Sequence, residues 1–348
     1  LEMRAGTAAE ERSVGGHIAV RLGEHLQFHA DAHRQRSEDL HIPGFAWSSA
    51  ARADAVAAGE PVDLSRGTLV NSAGEADGGG AGLAWVGERH AFGLSSSRYD
   101  SEYGLPGLGE EAGEPPDIRL SMSQRRDDFS GQWQPSSGGI RVLRLRASRN
   151  DYEHLELEPS GDIGTRYAQL GTELRLTAEH GDALGAANGS RGAWGMQVRK
   201  LDFDAEGEEA FLPPSVTRNS GLFLFQEREF GALTLEAGAR YEYQTVLDYS
   251  ADSLSGSLGA VWAAREDLNF GLQMASTERH PTATELYADG PHLAVQRYEI
   301  GDDSLGTETG RSVDLGLRWS TSEASASLNL FLTDYNRYIY AKPSAIPE

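Results

Sequence analysis

Ten histidines and 53 acidic residues, with no cysteine, set the chemistry open to this chain. Cysteine-ligated zinc and iron–sulfur sites are excluded. A zinc ion here would need about four ligands drawn from imidazole nitrogen and carboxylate oxygen, with water able to fill a place. His25, His29 and His33 recur at every fourth position. On an extended strand that spacing gives them one face but sets neighbours about 13 Å apart, too far to share an ion, so they read as solvated wall or loop residues. His280, beside Pro281, and His154, in a polar loop segment, are further positions able to help capture a cation. Glu110, Glu111 and Glu114 could do so by charge alone. No Ser/His/Asp arrangement, Gly-rich phosphate loop or metalloprotease motif stands out, and scattered carboxylates are not a catalytic pair. The reading is of a protein that is not an enzyme and carries no catalytic cofactor.

The elements that must position such residues are set by composition and period. Only 39% of the 348 residues are apolar and the formal charge is −22, a poor balance for a conventional core. Apolar residues at helical spacing are nearly absent over any useful length. No run of 18 apolar residues occurs, which excludes a membrane-spanning helix, and the sequence from Leu1 lacks the basic and apolar parts of an export signal. The acidic balance argues against nucleic acid as a partner and is compatible with cationic ligands. Absence of cysteine fits passage through an oxidising periplasm, as it fits many cytosolic proteins.

Alternation with a period of two decides the class. Leu233, Leu235, Ala237, Ala239, Tyr241 and Tyr243 share one face, and Thr234, Glu236, Gly238, Arg240, Glu242 and Gln244 the other. The pattern recurs at Leu268–Met274, at Val313–Trp319 and at Leu143–Ala147. About fourteen such segments approach or exceed the ~9–11 residues that a tilted strand needs to cross a bilayer. A closed barrel pairs every backbone group between strands, so only alternate side chains need be apolar. This predicts an all-β, transmembrane antiparallel β-barrel. Short turns at Pro135–Gly139, Phe230–Ala232, Arg265–Asp267 and Ser320–Glu323, and a longer one near Gly181–Gly192, alternate with long polar connections. The latter are Asp100–Pro116, Asn150–Gly164, Ala205–Asn219, Val246–Ser253 and Arg279–Thr309. Short turns belong on the periplasmic side and long loops outside. Tyr241, Tyr243, Trp262, Trp319, Tyr338 and Tyr340 are candidates for the interfacial girdles.

Three segments carry a resemblance to a family. Arg279–Thr309 contains P-T-x-x-E-L-Y-A, then G-P-H, Y-E-x-G and L-x-x-E; Ser95–Gly107 reads SSSRYDSEYGLPG, preceded by HIPG at His41–Gly44; and Gly207–Ser215 reads GEEAFLPPS. Together these resemble the TonB-dependent receptors of the outer membrane, and within them the zinc-uptake branch. The resemblance implies a 22-stranded barrel with a separate N-terminal plug, coupled to TonB in the inner membrane and importing a scarce solute. Residues 1–348 would then be a partial barrel domain, roughly the first fourteen strands, with the plug and the last strands outside this chain. The resemblance also implies a zinc site that takes Glu209 and His292 from the barrel, with Glu208 the alternative to its neighbour, and its remaining ligands from the plug. Zinc would be the transported solute, and TonB and outer-membrane lipid the partners. The stretch Leu108–Pro116 departs from the zinc branch, because it is short and has no histidine where a His- and Asp-rich insertion is common. A siderophore or cobalamin receptor is the near alternative, and a passive porin the alternative of a different class.

Overall fold

The computed structural model describes every residue except 60, 61, 63, 107–117, 137, 182–189, 208–209, 293–296 and 344–348, and the side chains of 292 and 297. The chain opens with β1 (Glu2–Ala5), β2 (Arg12–Leu22) and β3 (Leu26–Ser37). A connection follows that holds β4 (Leu40–Phe45), α1 (Ser49–Ala58) and β5 (Arg66–Leu69). Next come β6 (Gly74–Val86), β7 (His90–Gly104), β8 (Arg119–Trp133), β9 (Ile140–Leu157) and β10 (Ile163–His180). They lead to β11 (Ser190–Gly207), β12 (Ser215–Phe230), β13 (Leu233–Val246), β14 (Tyr249–Arg265) and β15 (Leu268–Arg279). A second connection holds α2 (Ala283–Tyr287), β16 (Asp289–His292) and β17 (Arg297–Ile300), before β18 (Glu308–Ser320) and β19 (Ser325–Asn336).

Fifteen strands form one sheet in which each pairs antiparallel with its neighbour in the chain, β3 passing to β6 and β15 to β18, while β4–β5 and β16–β17 are separate hairpins. The count is one more than the roughly fourteen alternating segments of the sequence. The sense of the alternation agrees. Along β13, Leu235, Ala237, Ala239, Tyr241 and Tyr243 are exposed and Gln244 is buried. Large apolar side chains such as Leu222, Leu254 and Leu258 are more than half exposed, whereas Thr165, Ser215, Glu227, Gln244 and Ser253 are buried. Polar inside and apolar outside is what a wall facing lipid requires.

Trp85, Trp133, Trp194, Trp262 and Trp319 all lie near the short-turn ends of their strands. The indole of Trp319 donates to Asp267 in the next turn at 2.9 Å. Tyr241 and Tyr243 stand eight and ten residues above Leu233, which pairs with Trp262. At ~3.3 Å per residue and a tilt near 40°, the rise is ~20–25 Å, the height of an outer-membrane apolar band. The two aromatic levels have the spacing of interfacial girdles, while Tyr338 and Tyr340, also expected there, follow the end of β19.

The strands run farther outward than alternation suggests. Asn150–Gly164, Ala205–Asn219 and Val246–Ser253, expected as long connections, are largely strand: β9 reaches Leu157, β10 starts at Ile163, and only Leu247 and Asp248 separate β13 from β14. Above the apolar band both faces meet water, so side-chain alternation fades while backbone pairing continues. His154, expected in a loop, consequently lies within β9, where its ring packs on Tyr167 with centroids 4.6 Å apart. The α1 connection was not anticipated either. Its helix is short and alanine-rich, closed by the Ser48 hydroxyl accepting from Ala51 N and by Gly59 at φ 74°.

Candidate functional site

The external mouth between β10 and β15 is built around the end of β15. Pro281 cannot extend a central strand, and Thr282 caps α2. The Thr282 hydroxyl accepts from Glu285 N at 3.2 Å, and Thr282 N donates back to Glu285 Oε2 at 2.7 Å, a reciprocal capping box. The Arg279 guanidinium donates to both Glu285 oxygens, at 2.9 and 3.1 Å, and approaches Glu308 Oε2 at 3.4 Å. Glu308 in turn accepts from Ile339 N at 2.7 Å. One guanidinium thus joins the ends of β15 and β18, the helix α2 and the segment after β19. Burial pushes the Glu285 carboxyl up, but its bonds to Arg279 and Thr282 outweigh this and hold it below its ordinary range.

The rest of the connection folds back on this frame. Leu286 is buried; Gly301 N donates to Ala288 O at 2.7 Å and Asp302 N to Glu285 O at 2.9 Å. Tyr298 donates to Asp289 Oδ1 at 3.0 Å. Gln244 Nε2 donates to Pro281 O at 2.9 Å, tying the cap to β13. The motif read as P-T-x-x-E-L-Y-A, Y-E-x-G and L-x-x-E is therefore chiefly scaffold, since its Thr282, Glu285, Tyr298, Gly301 and Glu308 hold the loop together.

Under the cap lies a cavity of about 560 Å³. Side chains from six consecutive strands, β10 to β15, converge on it, which shows that the polar face is the concave one. Arg199, Arg240 and Arg279 stand against Glu173, Glu242 and Glu278, so its charge is balanced. Arg240 is bonded to Glu242 at 2.5 Å, and Asn219 donates to Gln244 Oε1 at 2.8 Å. His280 is 7% exposed, with Nδ1 3.3 Å from the Tyr249 hydroxyl and Nε2 without a hydrogen-bond partner among the described residues. These cavity arginines were missed in the sequence because strand residues on the polar face looked merely solvated.

The segments that carry the sequence-derived ligands lead to the rim. Glu208 and Glu209 lie outside the described residues. The backbone of His292 closes β16 opposite Arg297, its side chain being outside the description. Their segments nevertheless touch: Asp289 N donates to Phe211 O at 2.7 Å, and a Cβ added to Gly290 would come within 2.8 Å of Phe211 Cβ. Glycine at 290 is what lets Phe211 lie this close to β16. The other sequence candidates separate. His29 and His33 sit on the polar face of β3, packed over Gly82 and Gly78 of β6, and His25 Nδ1 meets Val86 O at 3.0 Å. Glu110, Glu111 and Glu114 lie outside the described residues. Among the described residues no group of three or more His, Asp or Glu side chains is arranged to hold a metal.

Residues 54–347 match the family model described as TonB dependent receptor-like, beta-barrel. The chain belongs to the TonB-dependent receptor family. It is a wall of an outer-membrane barrel. Among solved structures it is similar to the FrpB iron transporter of Neisseria meningitidis, with a TM-score of 0.72 and 15% identity over 94% of this chain and 52% of that one. It is similar also to the ferric enterobactin receptor PfeA of Pseudomonas aeruginosa (TM-score 0.71, 13% identity, 93% and 51% covered). The copper transporter OprC gives a TM-score of 0.69 at 13% identity, with 93% and 51% covered. The chain spans about half the length of these proteins, and at such identity the likeness is one of fold.

Proposed function

We propose that the protein of which this receptor barrel is part is a TonB-coupled importer of a scarce solute, and that the solute is zinc. Glu209 and His292 are the barrel's ligands in this reading, with Glu208 able to replace its neighbour. TonB supplies the energy through a plug not contained in residues 1–348. The observation that supports the reading is the Asp289 N to Phe211 O hydrogen bond, between the last residue of GEEAF and the first residue of the strand that contains GPH. Two residues leave the tetrahedral shell of zinc incomplete, so the plug has to add the others.

Uptake of radioactive zinc by cells carrying the full-length gene tests this. Glu209→Ala and His292→Ala, at matched surface expression, should each abolish TonB-dependent uptake, as should deletion of TonB. Zinc uptake unchanged in all three would sink the metal assignment while leaving the fold untouched. A second reading has its own support, because a polar cavity of about 560 Å³ lined by three arginines and three glutamates is larger than a bare ion needs. A chelated metal with polar groups of both kinds matches such a lining, and the iron and copper transporters named above make this the alternative to try next.

A further inference from the structure

On the inner face of β3 the run His29, Ala30, Asp31, Ala32, His33 places two imidazoles and a carboxylate in one file. The face is fixed by register. Phe28 stands in a row with Leu83 and Leu94, which are 49% and 63% exposed on the apolar side, so the odd positions of β3 face inward. Asp31 has His17 of β2 as its direct cross-strand partner, whereas the partners of His29 and His33 on β2 are only Ala19 and Gly15. On the other side, β6 offers Gly82, Gly80 and Gly78 in the same three rows. His29 and His33 use that bare lane. A Cβ on Gly82 would lie 2.8 Å from His29 Nε2, and one on Gly78 would lie 2.8 Å from His33 Cε1, so both rings rest on backbone that a side chain would cover. The His33 ring also stacks on Tyr99 of β7, with centroids 5.9 Å apart.

His29 and His33 are too far apart to share an ion, but Asp31 lies between them, ~6.6 Å from each along the strand. From His17, Asp31 is directly opposite at a Cβ separation of ~5 Å, and His29 and His33 are the two diagonal neighbours at ~7–8 Å, within reach of long side chains. The side chains of His17 and Asp31 have no hydrogen-bond or ion-pair partner among the described residues. With the two rings resting on β6, no three such groups are arranged to hold a metal. Turning either imidazole off the glycine lane, toward Ala19 or Gly15, brings it to the His17–Asp31 pair. We propose that His17, Asp31 and one of His29 and His33 form a station for a borderline divalent cation such as zinc, with water in the fourth place. Two imidazoles, a carboxylate and a water are a donor set that zinc takes. The interchangeable histidines, one on each side of Asp31, let the ion be passed along β3 rather than kept. As a step in import the station rests on the zinc reading; as a binding site it stands apart from Glu209 and His292.

The test uses purified full-length receptor, zinc chloride as the only added ligand, and acylation of histidines by diethyl pyrocarbonate read residue by residue by mass spectrometry. A His292→Ala background removes the rim site. In that background zinc should protect His17, together with His29 or His33, from acylation. Asp31→Asn keeps the size of the side chain and removes its charge, so it should raise the zinc concentration needed for protection by about tenfold or more, with unchanged heat-dependent migration in gels showing that the barrel has folded. His29→Gln and His33→Gln should each leave protection at the remaining histidine, and the double variant should abolish it at His17, an exchange that a merely structural role would not produce. Cells carrying Asp31→Asn at matched surface expression should import zinc at a several-fold lower maximal rate with the half-saturating concentration unchanged. Wild-type uptake in His292→Ala, with the footprint lost in Asp31→Asn, would remove the rim ligands and keep the station. Histidines left unprotected in His292→Ala, or protection that survives Asp31→Asn, overturn the station, and lost protection with an unchanged maximal rate overturns its place in import.

Discussion

Arg279→Ala is expected to release the external cap from the barrel, and with it the solute rim. The guanidinium bridges Glu285 and Glu308, whose side chains are 29% and 10% exposed. Removing it leaves two neighbouring carboxylates without their shared cation, a loss of about 2 kcal/mol for charge-assisted bonds of this exposure. At 1.4 kcal/mol per factor of ten, amide exchange in 280–307 should quicken roughly 30-fold, while exchange in the β8–β10 hairpins stays unchanged. Arg279→Lys should not rescue it, because an ammonium cannot present the planar fork that meets both Glu285 oxygens. The same hub sets a pH response. The Glu285 carboxyl is held below its ordinary 4.5 against the opposing effect of burial, so its contribution is fully present above 4.5 and is lost as the pH falls through the depressed value. Cap protection should be flat from pH 5 upward and drop in acid. An Arg279→Ala protein with wild-type cap exchange would remove the guanidinium from this role.

Leu258→Arg is expected to be the most damaging single change on the outer surface. Leu258 is 65% exposed and lies four residues above Trp262 on β14, about 10 Å above the lower girdle and so near the bilayer midplane. In water an exposed leucine tolerates arginine; in a bilayer the change costs roughly 2–4 kcal/mol at that depth. Gln273→Arg is the control, since Gln273 lies on the inner face with Asp314 as its cross-strand partner, and should cost little. Equal folding stability of the two variants in lipid vesicles would contradict the assignment of faces.

The sequence displayed the barrel clearly because the bilayer imposes alternation on every crossing strand, as in Leu233–Tyr243. It displayed the extramembrane part poorly. Once both faces of a strand meet water, as at Arg149–Leu157, polarity stops reporting on pairing, which is why His154 was placed in a loop. The family-like motif located the cap correctly, yet most of its residues serve the scaffold: Glu285 and Glu308 could not be recognised as Arg279 partners from positions 6 and 29 residues away. The contact between Phe211 and Asp289 is equally non-local. The resemblance paired Glu209 with His292, but the hydrogen bond that joins the β11–β12 connection to β16 has no local signal in the sequence.

The most direct test of the account is an equilibrium zinc titration of the purified full-length receptor, comparing wild type, Glu209→Ala, His292→Ala and the double variant. If both residues ligate one ion, each single change weakens binding by about tenfold or more, and the double variant binds little worse than the weaker single one, because the second ligand has nothing left to complete. Wild-type affinity in both single variants, or two losses that simply add, would show that the two segments meet without sharing a metal.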